Sequence, residues 1–410
     1  MNLFPPLTAE TRKTLERLLP VIDKAFPLPQ RFRHKLKNDV AELSALFTSS
    51  RPERGASYLG RPNLLSAYLR YFLPWNIYRL CRLLPSLPLT LKDGDAVTDL
   101  GSGPLSLVLA LWICCPELRK LNLEFRCVDR TPAVLEAGRK LFEALLSDEN
   151  ENSWASPNIR WNIKTIRGEI HNNGRLSVQI HGQPAALVSV LNVYNEIFWN
   201  FSPLDKVSLR NLAMQSGRFM LNSLCAERGH ILVVEPGIPR SGEFISMLRA
   251  AFLEQGFNAV SPCLHNGVCS YPGVNLLTGE QKFRGKAKWC HFPFDTDGAP
   301  VQLLKLSSDA GIPKERGVMS FILAGKGQLQ SGKGTFSNHK KNVTTTALII
   351  SDAFPAGEQY GRYGCSALGA VLALGKREEA EAFCPGSIAE LKMSGARDFK
   401  SGALTGSIMV

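Results

Sequence analysis

The segment that decides the fold reads Ala96-Val-Thr-Asp99-Leu-Gly101-Ser102-Gly103-Pro104. Its apolar residues predict a short buried strand, and the glycines that follow predict a tight turn into a helix. Glycine lets the backbone come close to a ligand, and the first N–H groups of a helix have no partner within the helix. We therefore expect Asp99, Gly101, Ser102, Gly103 and Pro104 to line a binding site at the end of the first strand.

An acidic residue after the next apolar run indicates a nucleoside-containing ligand. Asp129 lies 28 residues after Gly101. A carboxylate at this place can accept hydrogen bonds from both ribose hydroxyls of an adenosine-type cofactor. The short Asp-x-Gly-x-Gly pattern suits S-adenosylmethionine better than a dinucleotide, because S-adenosylmethionine has no pyrophosphate to bind. The alternative is a structural glycine turn in another kind of α/β protein.

Residues 95–256 alternate between short apolar runs and helical stretches, which predicts a doubly wound parallel sheet. The predicted strands are 96–100, 125–128, 163–166, 186–193 and 231–234, and the predicted helices include 132–146, 208–226 and 241–255. Ligands of such sheets bind at the carboxyl ends of the strands. We therefore expect Asn192, Asn195 and Glu196, which follow the fourth strand, to face the cofactor. Glu235 stands alone after the fifth strand, where we expect it to be solvated.

The first 92 residues predict a helical unit with a basic surface. They contain 15 Lys and Arg residues against 6 Asp and Glu. Apolar residues recur at helical spacing over 9–19, 30–47 and 64–84, with Thr8 as a cap and Pro20 as the end of the first helix. The aromatic residues of the third helix, Tyr68 among them, are expected in the core. The second helix opens with a cluster of cations: Arg31, Arg33, Lys35 and Lys37.

Cysteines and histidines gather in a polar, glycine-rich stretch, residues 263–291. Cys263, Cys269 and Cys290 follow the spacing Cys-x5-Cys-x20-Cys, and thiolates select zinc or iron–sulfur clusters. A fourth ligand has to come from elsewhere. The candidates are His265, His291, Cys365 and Cys384. The alternative is a set of unrelated buried thiols.

Basic and aromatic residues alternate beside these cysteines. The cations are Lys282, Arg284, Lys286 and Lys288, and they are interleaved with Phe283 and Trp289. This pattern, with a formal net charge of +12 for the chain, favours contact with the phosphates of RNA. The alternative is a basic surface that serves only solubility.

The changes of pattern divide the chain into four parts. Residues 1–92 are the helical unit, 93–260 the S-adenosylmethionine-binding α/β domain, and 261–296 the cysteine-rich metal loop. Apolar runs typical of strands return at 318–323, 346–350 and 369–374 with few helices between them. Residues 297–410 are therefore predicted to be a β-rich C-terminal part.

Membrane and secretory classes are not expected. The longest apolar run, 105–115, is well short of the ~20 residues that a membrane span needs. The first residues lack a basic stretch before an apolar one, and they carry Glu10, Glu16 and Asp23, which transit peptides avoid. Ten cysteines are too few for a disulfide scaffold. We expect a monomeric cytoplasmic protein of the bacterial type.

Several motifs, in this order, resemble the Rsm-type family of methyltransferase-like proteins of the small ribosomal subunit, which includes mitochondrial assembly factors and bacterial relatives. Two of them are the glycine turn and the segment Asn192-Val-Tyr-Asn-Glu196. The others read Val234-Glu-Pro-Gly-Ile-Pro239, Ser261-Pro-Cys-Leu-His265 with Cys269, and Trp289-Cys-His-Phe292. The resemblance covers roughly residues 60–375, and the last two motifs together are specific.

The resemblance implies a class I methyltransferase fold, S-adenosylmethionine binding and a [4Fe–4S] cluster with four cysteine ligands. It also implies a role in ribosome assembly through contact with small-subunit rRNA and with ribosomal proteins. Carried over, Cys263, Cys269 and Cys290 are cluster ligands, and Cys365 fits the fourth position better than Cys384 because it stands in a Cys-x3-Gly context. The chain departs from the pattern at Leu105, where many methyltransferases have a third glycine.

Three forms of this function follow from the sequence. The first is an S-adenosylmethionine-dependent rRNA methyltransferase, and the second is a non-catalytic rRNA-binding assembly factor that keeps the methyltransferase fold. The third is an RNA methyltransferase stabilised by zinc without iron. The segment Asn192-Val-Tyr194-Asn195 only loosely imitates the Asn-Pro-Pro-Tyr element that orients an exocyclic amine. The catalytic residues are therefore unknown, and cofactor binding is better supported than methyl transfer.

Overall fold

A computed structural model describes residues 2–48, 58–151, 160–202, 205–273, 288–326 and 343–409. Within these ranges the chain forms a helical unit, a large sheet with helices, and a second, smaller sheet. None of the described helices has the length and apolar character needed to cross a membrane.

The N-terminal unit contains α1 (Ala9–Ala25), α2 (Gln30–Arg33), α3 (Leu36–Phe47), α4 (Pro62–Ala67) and α5 (Leu73–Leu83). The Thr8 hydroxyl accepts a hydrogen bond from the Thr11 N–H and caps α1, as predicted. The helix does not end at Pro20, because its buried face continues through Val21 and Ile22 and outweighs one lost backbone hydrogen bond. The predicted helix 30–47 is divided into α2 and α3.

The large sheet has eight strands: β1 (Ala96–Leu100), β2 (Leu123–Asp129), β3 (Trp161–Arg167), β4 (Ala185–Leu191), β5 (Cys225–Pro236), β6 (Asn258–Ser261), β7 (Phe292–Asp295) and β8 (Arg316–Gly325). Seven follow the order β3-β2-β1-β4-β5-β8-β6, and β7 also pairs with β8. The five neighbouring strands β3, β2, β1, β4 and β5 are parallel, whereas β8 is antiparallel to its neighbours. The doubly wound α/β sheet expected from the sequence is therefore present.

Helices follow most strands of this sheet: α6 (Ser106–Cys114), α7 (Pro132–Glu151), α8 (Tyr194–Phe198), α9 (Lys206–Phe219), α10 (Pro239–Glu254) and α11 (Val301–Asp309). Two sequence predictions need correction. The helix predicted over 208–226 ends at Phe219, because a π-helical turn, Met220–Leu224, leads directly into β5. The strand predicted at 318–323 is β8 and lies between β5 and β6, so the large sheet continues beyond residue 296 to Gly325.

The second sheet is built from β9 (Thr344–Ile349), β10 (Phe354–Ala356), β11 (Gln359–Ser366), β12 (Gly369–Gly375), β13 (Ile388–Arg397) and β14 (Leu404–Ile408), with α12 (Arg377–Glu381) between β12 and β13. Because β9 pairs with both β11 and β13, five of the strands close into a barrel. Small residues such as Ala347, Ala373 and Ala389 fill its interior, which suits a narrow barrel.

The buried guanidinium of Arg82 joins the units at the N-terminus of the chain. It donates hydrogen bonds to the carbonyl oxygens of Phe4 (3.1 Å), Pro5 (3.0 Å) and Asp295 (3.0 Å). The Phe4 ring stacks on Phe294 of β7, with ring centroids 4.8 Å apart. The N–H of the preceding residue, Leu3, donates to the carbonyl oxygen of Gly386, just before β13 of the barrel, at 3.0 Å. The first residues therefore hold the helical unit, the large sheet and the barrel together.

A buried carboxylate joins the ends of β4 and β5. Glu235 is fully buried and accepts hydrogen bonds from the Tyr194 N–H (2.8 Å), the Asn195 N–H (3.0 Å) and the Asn195 side-chain amide (2.9 Å). Burial raises its pKa to about 7, although these hydrogen bonds favour the charged form. The expectation of a solvated acid at the sheet edge is therefore wrong, because α8 folds over Glu235 and presents its first N–H groups to it.

We predict that Arg82→Met lowers the free energy of unfolding by about 3 kcal/mol, since the buried carbonyl oxygens of Phe4 and Pro5 lose their donors at ~1–3 kcal/mol each. Urea unfolding followed by tryptophan fluorescence measures the change. Arg139→Met is the matched control, because Arg139 forms exposed ion pairs with Glu136 and Glu143 on α7. We expect the control to cost less than about 1 kcal/mol. Equal losses in the two variants would contradict the role of Arg82.

The raised pKa of Glu235 predicts a pH dependence of stability. The folded state holds the Glu235 proton more tightly than the unfolded state, so this residue makes stability fall as the pH rises from about 4.5 to about 7. In Glu235→Gln we expect a smaller fall over the same range, measured by urea unfolding at a series of pH values. Glu254→Gln, which changes an exposed carboxylate at the end of α10, should retain the wild-type slope. The idea fails if the two variants have the same slope.

Candidate functional site

The glycine turn after β1 requires glycine for two reasons. Gly101 and Gly103 have φ angles of +71° and +52°, in the left-handed region that favours glycine. In addition, a Cβ atom on Gly101 would overlap the side chain of Val193, which follows β4. The turn therefore lies directly against the end of the neighbouring strand, where the carboxyl ends of β1, β2 and β4 meet.

Asp129, at the end of β2, closes this turn. One oxygen of its carboxylate accepts a hydrogen bond from the Gly103 N–H (3.0 Å), and the other accepts one from the Thr131 N–H (2.9 Å). Burial raises the pKa of Asp129, while the two N–H groups act in the opposite direction. A carboxylate has about four acceptor positions, so both oxygens can accept further hydrogen bonds from a pair of hydroxyls.

Asp99 and Ser102 stabilise the turn from inside. The Asp99 carboxylate is buried and accepts a hydrogen bond from the Ser189 hydroxyl, 2.6 Å away on β4. The second oxygen of this carboxylate has no hydrogen-bond partner among the described residues. Burial raises the pKa of Asp99 to about 6. The Ser102 hydroxyl donates to the Asp99 carbonyl oxygen at 2.8 Å. The Asp99 side chain thus joins β1 to β4 beneath the turn.

Helix α7 packs closely on the same turn. A Cβ atom on Gly138 would lie 2.5 Å from the carbonyl carbon of Pro104 and 2.6 Å from Leu105. Gly138 therefore permits this approach, and Leu105, which stands in place of a third glycine, is buried with a φ of 60°.

The three predicted residues after β4 point to different places. Asn192 has a left-handed φ of 57°, and its N–H donates to the Val234 carbonyl oxygen at 2.8 Å. Asn195 is buried, with its amide on Glu235. Glu196 is 30% exposed and lies 3.8 Å from Arg130, the residue after Asp129. Of the three, Glu196 is the one whose side chain lies close to the segment that follows Asp129.

Tyr68 is a residue of this site that the sequence placed in the core. It begins a π-helical turn, Tyr68–Phe72, between α4 and α5. Its hydroxyl lies 3.9 Å from the position of a Cβ on Gly103. Burial raises its pKa, and the negative charges of Glu196 and Asp129 raise it further. The helical unit therefore covers the glycine turn with a phenol that faces two carboxylates, which no local sequence pattern could indicate.

The four cysteines favoured by the resemblance also come together. Burial raises the pKa of Cys290 well above its usual value, and the charges of Cys263, Cys269 and Cys365 raise it further. The pKa of Cys365 is raised to about 12 by burial and by Cys263 and Cys269. The influence of the other thiols on these two pKa values indicates that the thiols of the loop and of β11 lie near one another.

Polar side chains surround these thiols. The Arg249 guanidinium of α10 donates to the Cys263 sulfur at 3.3 Å and to the His265 carbonyl oxygen at 2.7 Å. The His265 Nε2 atom lies 3.3 Å from the Cys365 sulfur, and the Nδ1 atom of the same ring is buried without a partner among the described residues. The Ser270 hydroxyl is 3.7 Å from the Cys365 sulfur.

The remaining ligand candidates, Cys384 and His291, make other contacts. Cys384 is exposed and lies near Arg362 and Arg316. The His291 ring stacks on Trp289. Across the described parts of the chain, no three His, Cys, Asp or Glu side chains have the arrangement needed to hold a metal ion. The structure thus groups four thiols without showing a metal site.

Of the predicted basic loop, Lys282, Arg284 and Lys286 lie outside the described residues. Lys288 is described, and its ammonium group lies 2.9 Å from the centre of the Tyr363 ring of β11. This cation–π contact joins the cysteine loop to the barrel.

Comparisons with solved structures return S-adenosylmethionine-dependent methyltransferases at low similarity. A putative class I enzyme from Listeria monocytogenes has 10% identity and a TM-score of 0.37, covering 78% of this chain and 91% of that one. An enzyme from Geobacter sulfurreducens, in complex with S-adenosyl-L-homocysteine, has 13% identity and a TM-score of 0.28, covering 61% and 90%. At these TM-scores the assignment of the fold rests on the strand order described above.

Comparisons of sequence give a narrower result. No curated protein matches the chain. The model of one protein family, described as mitochondrial small ribosomal subunit Rsm22, matches residues 183–335. This range begins at β4 and includes Glu235, the cysteine loop and β8. Residues 183–335 of the chain are therefore similar to the Rsm22 family of the mitochondrial small ribosomal subunit, and within this range the comparison confirms the family resemblance predicted from the sequence.

Proposed function

We propose that this protein binds S-adenosylmethionine at the glycine turn and acts on small-subunit rRNA during ribosome assembly, with a [4Fe–4S] cluster held by Cys263, Cys269, Cys290 and Cys365. The observation that carries the proposal is Asp129, which closes the glycine turn in a chain related to a ribosomal-subunit family. The family description is mitochondrial, so the cytoplasmic location stays a prediction from the sequence.

The residues around the turn suit the cofactor. Asp129 has free acceptor positions for the ribose hydroxyls, and Gly103, which has only the Tyr68 hydroxyl near the place of a Cβ, leaves room for a ligand against the backbone. Tyr68 lies near both Asp129 and Glu196, and thus a phenol and a second carboxylate are added to the site. S-adenosylmethionine carries a positively charged sulfonium, which two nearby carboxylates favour. When bound, the cofactor supplies an electrophilic methyl group.

The cysteine cluster suits a soft metal centre with four thiolate ligands. Burial raises the pKa of Cys290 and of Cys365, so metal binding by these thiols would release protons. Arg249 is placed to offset part of the negative charge, because it donates to the Cys263 sulfur. A four-thiolate site also suits zinc, which is the alternative cofactor. Iron is favoured by the family resemblance.

One observation favours the non-catalytic form of the function, an rRNA-binding assembly factor. The Asn195 amide is bound to Glu235, and the Tyr194 ring is buried with its hydroxyl 3.9 Å from the Met220 sulfur. Neither side chain is therefore available to orient an amine of a substrate base. Incubation with small-subunit rRNA and cofactor labelled in the methyl group separates the two forms, since only an enzyme transfers label to the RNA.

One prediction from the proposed function concerns the cofactor. Asp129→Ala removes the acceptor for the ribose hydroxyls, and we expect S-adenosylhomocysteine to bind about 10- to 100-fold more weakly, as for the loss of a hydrogen bond to a charged group. Isothermal calorimetry measures the affinity. Asp309→Ala, at the exposed end of α11, is the control and should bind like the wild type. Absence of binding by the wild-type protein would refute the cofactor site.

The second prediction concerns the cluster. Cys365→Ser should lose most of the iron after anaerobic purification, together with the broad absorbance near ~400 nm that an iron–sulfur protein shows. Cys384→Ser is the matched control, since this cysteine is exposed and away from the other four, and it should retain the iron. The ligand assignment is wrong if Cys384→Ser loses the iron instead. A colourless wild-type protein that contains zinc would establish the alternative metal.

A further inference from the structure

The barrel has the topology of an oligonucleotide-binding fold. Its five strands are paired in the cyclic order β9-β11-β12-β14-β13, with β12 and β14 parallel and every other pair antiparallel. In chain order the first to fifth strands of the barrel are β9, β11, β12, β13 and β14, and helix α12 lies between β12 and β13. A five-stranded Greek-key barrel with this order is an OB-fold, which binds nucleic acid through the face of its second and third strands and through the loops at their side.

Contacts within the protein cover part of that binding surface. The Tyr271 hydroxyl donates to the Gly364 carbonyl oxygen of β11 at 2.8 Å, and Lys288 lies over the Tyr363 ring. The cysteine loop therefore packs against the second strand of the barrel. The loop between the fourth and fifth strands, residues 398–403, lies at another edge and carries exposed side chains.

This loop has a defined shape. The Asp398 N–H donates to the Ala403 carbonyl oxygen (2.8 Å), and the Gly402 N–H donates to the Asp398 carbonyl oxygen (2.7 Å). The Asp398 carboxylate accepts from the Ser401 N–H at 2.7 Å, and Arg397 donates to the Gly402 carbonyl oxygen at 2.8 Å. These bonds fix the backbone on both sides of residue 399. A side chain at that position is therefore presented in a preorganised way.

Phe399 is the side chain at the tip of this loop, and it is 99% exposed. The Phe399 ring is not part of the described core, so this residue does not stabilise the fold through burial. Arg397 and Lys400 flank it, both exposed, and Lys392 is exposed on the same strand as Arg397. The carboxylate of the nearby Asp398 is hydrogen-bonded to Ser401 within the loop. An aromatic face between cations is the combination that binds a base and its phosphates in single-stranded nucleic acid.

We propose that the β13–β14 loop of the barrel is a binding site for single-stranded RNA, in which Phe399 stacks on a base and Arg397 and Lys400 contact the phosphates. This inference rests on the proposed action on rRNA and adds the part of the protein that contacts it. Single-stranded RNA is favoured over a duplex because a paired base has no free face for stacking. It is favoured over a protein partner by the flanking positive charge and by the topology of the barrel.

The test uses the full-length protein and a fluorescein-labelled single-stranded RNA of small-subunit rRNA sequence, with binding followed by fluorescence anisotropy. In Phe399→Ala we expect binding to weaken by about 5- to 100-fold, the range for the loss of one base–aromatic stack. Phe399→Trp should bind within about twofold of the wild type, because indole also stacks. Val301→Ala, which trims another exposed apolar side chain, is the control and should leave binding unchanged.

A second measurement locates the contact. With 5-iodouridine in the RNA, ultraviolet light should cross-link the peptide that contains Phe399. The proposal is overturned if Phe399→Ala binds as tightly as the wild type, or if it weakens a fully paired duplex as much as the single strand. Wild-type protein that binds no rRNA would overturn this proposal and the proposed function together. Wild-type binding that is unaffected in Phe399→Ala would overturn this proposal alone.

Discussion

The structure depends on one buried cation. Arg82 lies where the helical unit, β7 and the first residues of the chain meet, and its donors satisfy three backbone carbonyl oxygens there. A buried guanidinium is stable only when its donors are paired, so the surrounding segments have to keep their places. Phe4 extends this node, because it stacks on Phe294 while the neighbouring Leu3 bonds to the edge of the barrel. This constraint helps to hold the three units in their relative positions.

Both candidate sites lie at boundaries between those units. The glycine turn belongs to the large sheet, but the phenol above it, Tyr68, comes from the helical unit. Three of the grouped cysteines belong to the loop after β6, whereas Cys365 belongs to the barrel. Binding at either site would therefore stabilise the assembly of the units, because a ligand that binds only the folded arrangement adds its binding energy to it. A metal centre would fasten the barrel to the sheet in the same way.

Much of the fold could be predicted because local sequence patterns indicate it. The alternation of apolar and helical segments indicated the doubly wound sheet, and the glycines after β1 indicated the turn that Asp129 closes. The prediction was wrong where distant residues decide the outcome. Glu235 is buried because α8 folds over it, and the strand at 318–323 joins the large sheet because β5 offers it an antiparallel edge. No residue near either segment carries that information.

The sequence by itself therefore determined the α/β class, the glycine turn, the similarity of residues 183–335 to the Rsm22 family and which cysteines to consider. These features depend on the types of residues that lie close together in the sequence, because their backbone conformation and side-chain chemistry have local effects. Only the tertiary structure decided that Tyr68 covers the turn, that Arg82 joins the units and that the C-terminal strands close into a barrel with Phe399 at a loop tip. The physical reason is that such contacts join residues far apart in the chain, and their free energy arises from burial and pairing that exist only once the units have packed.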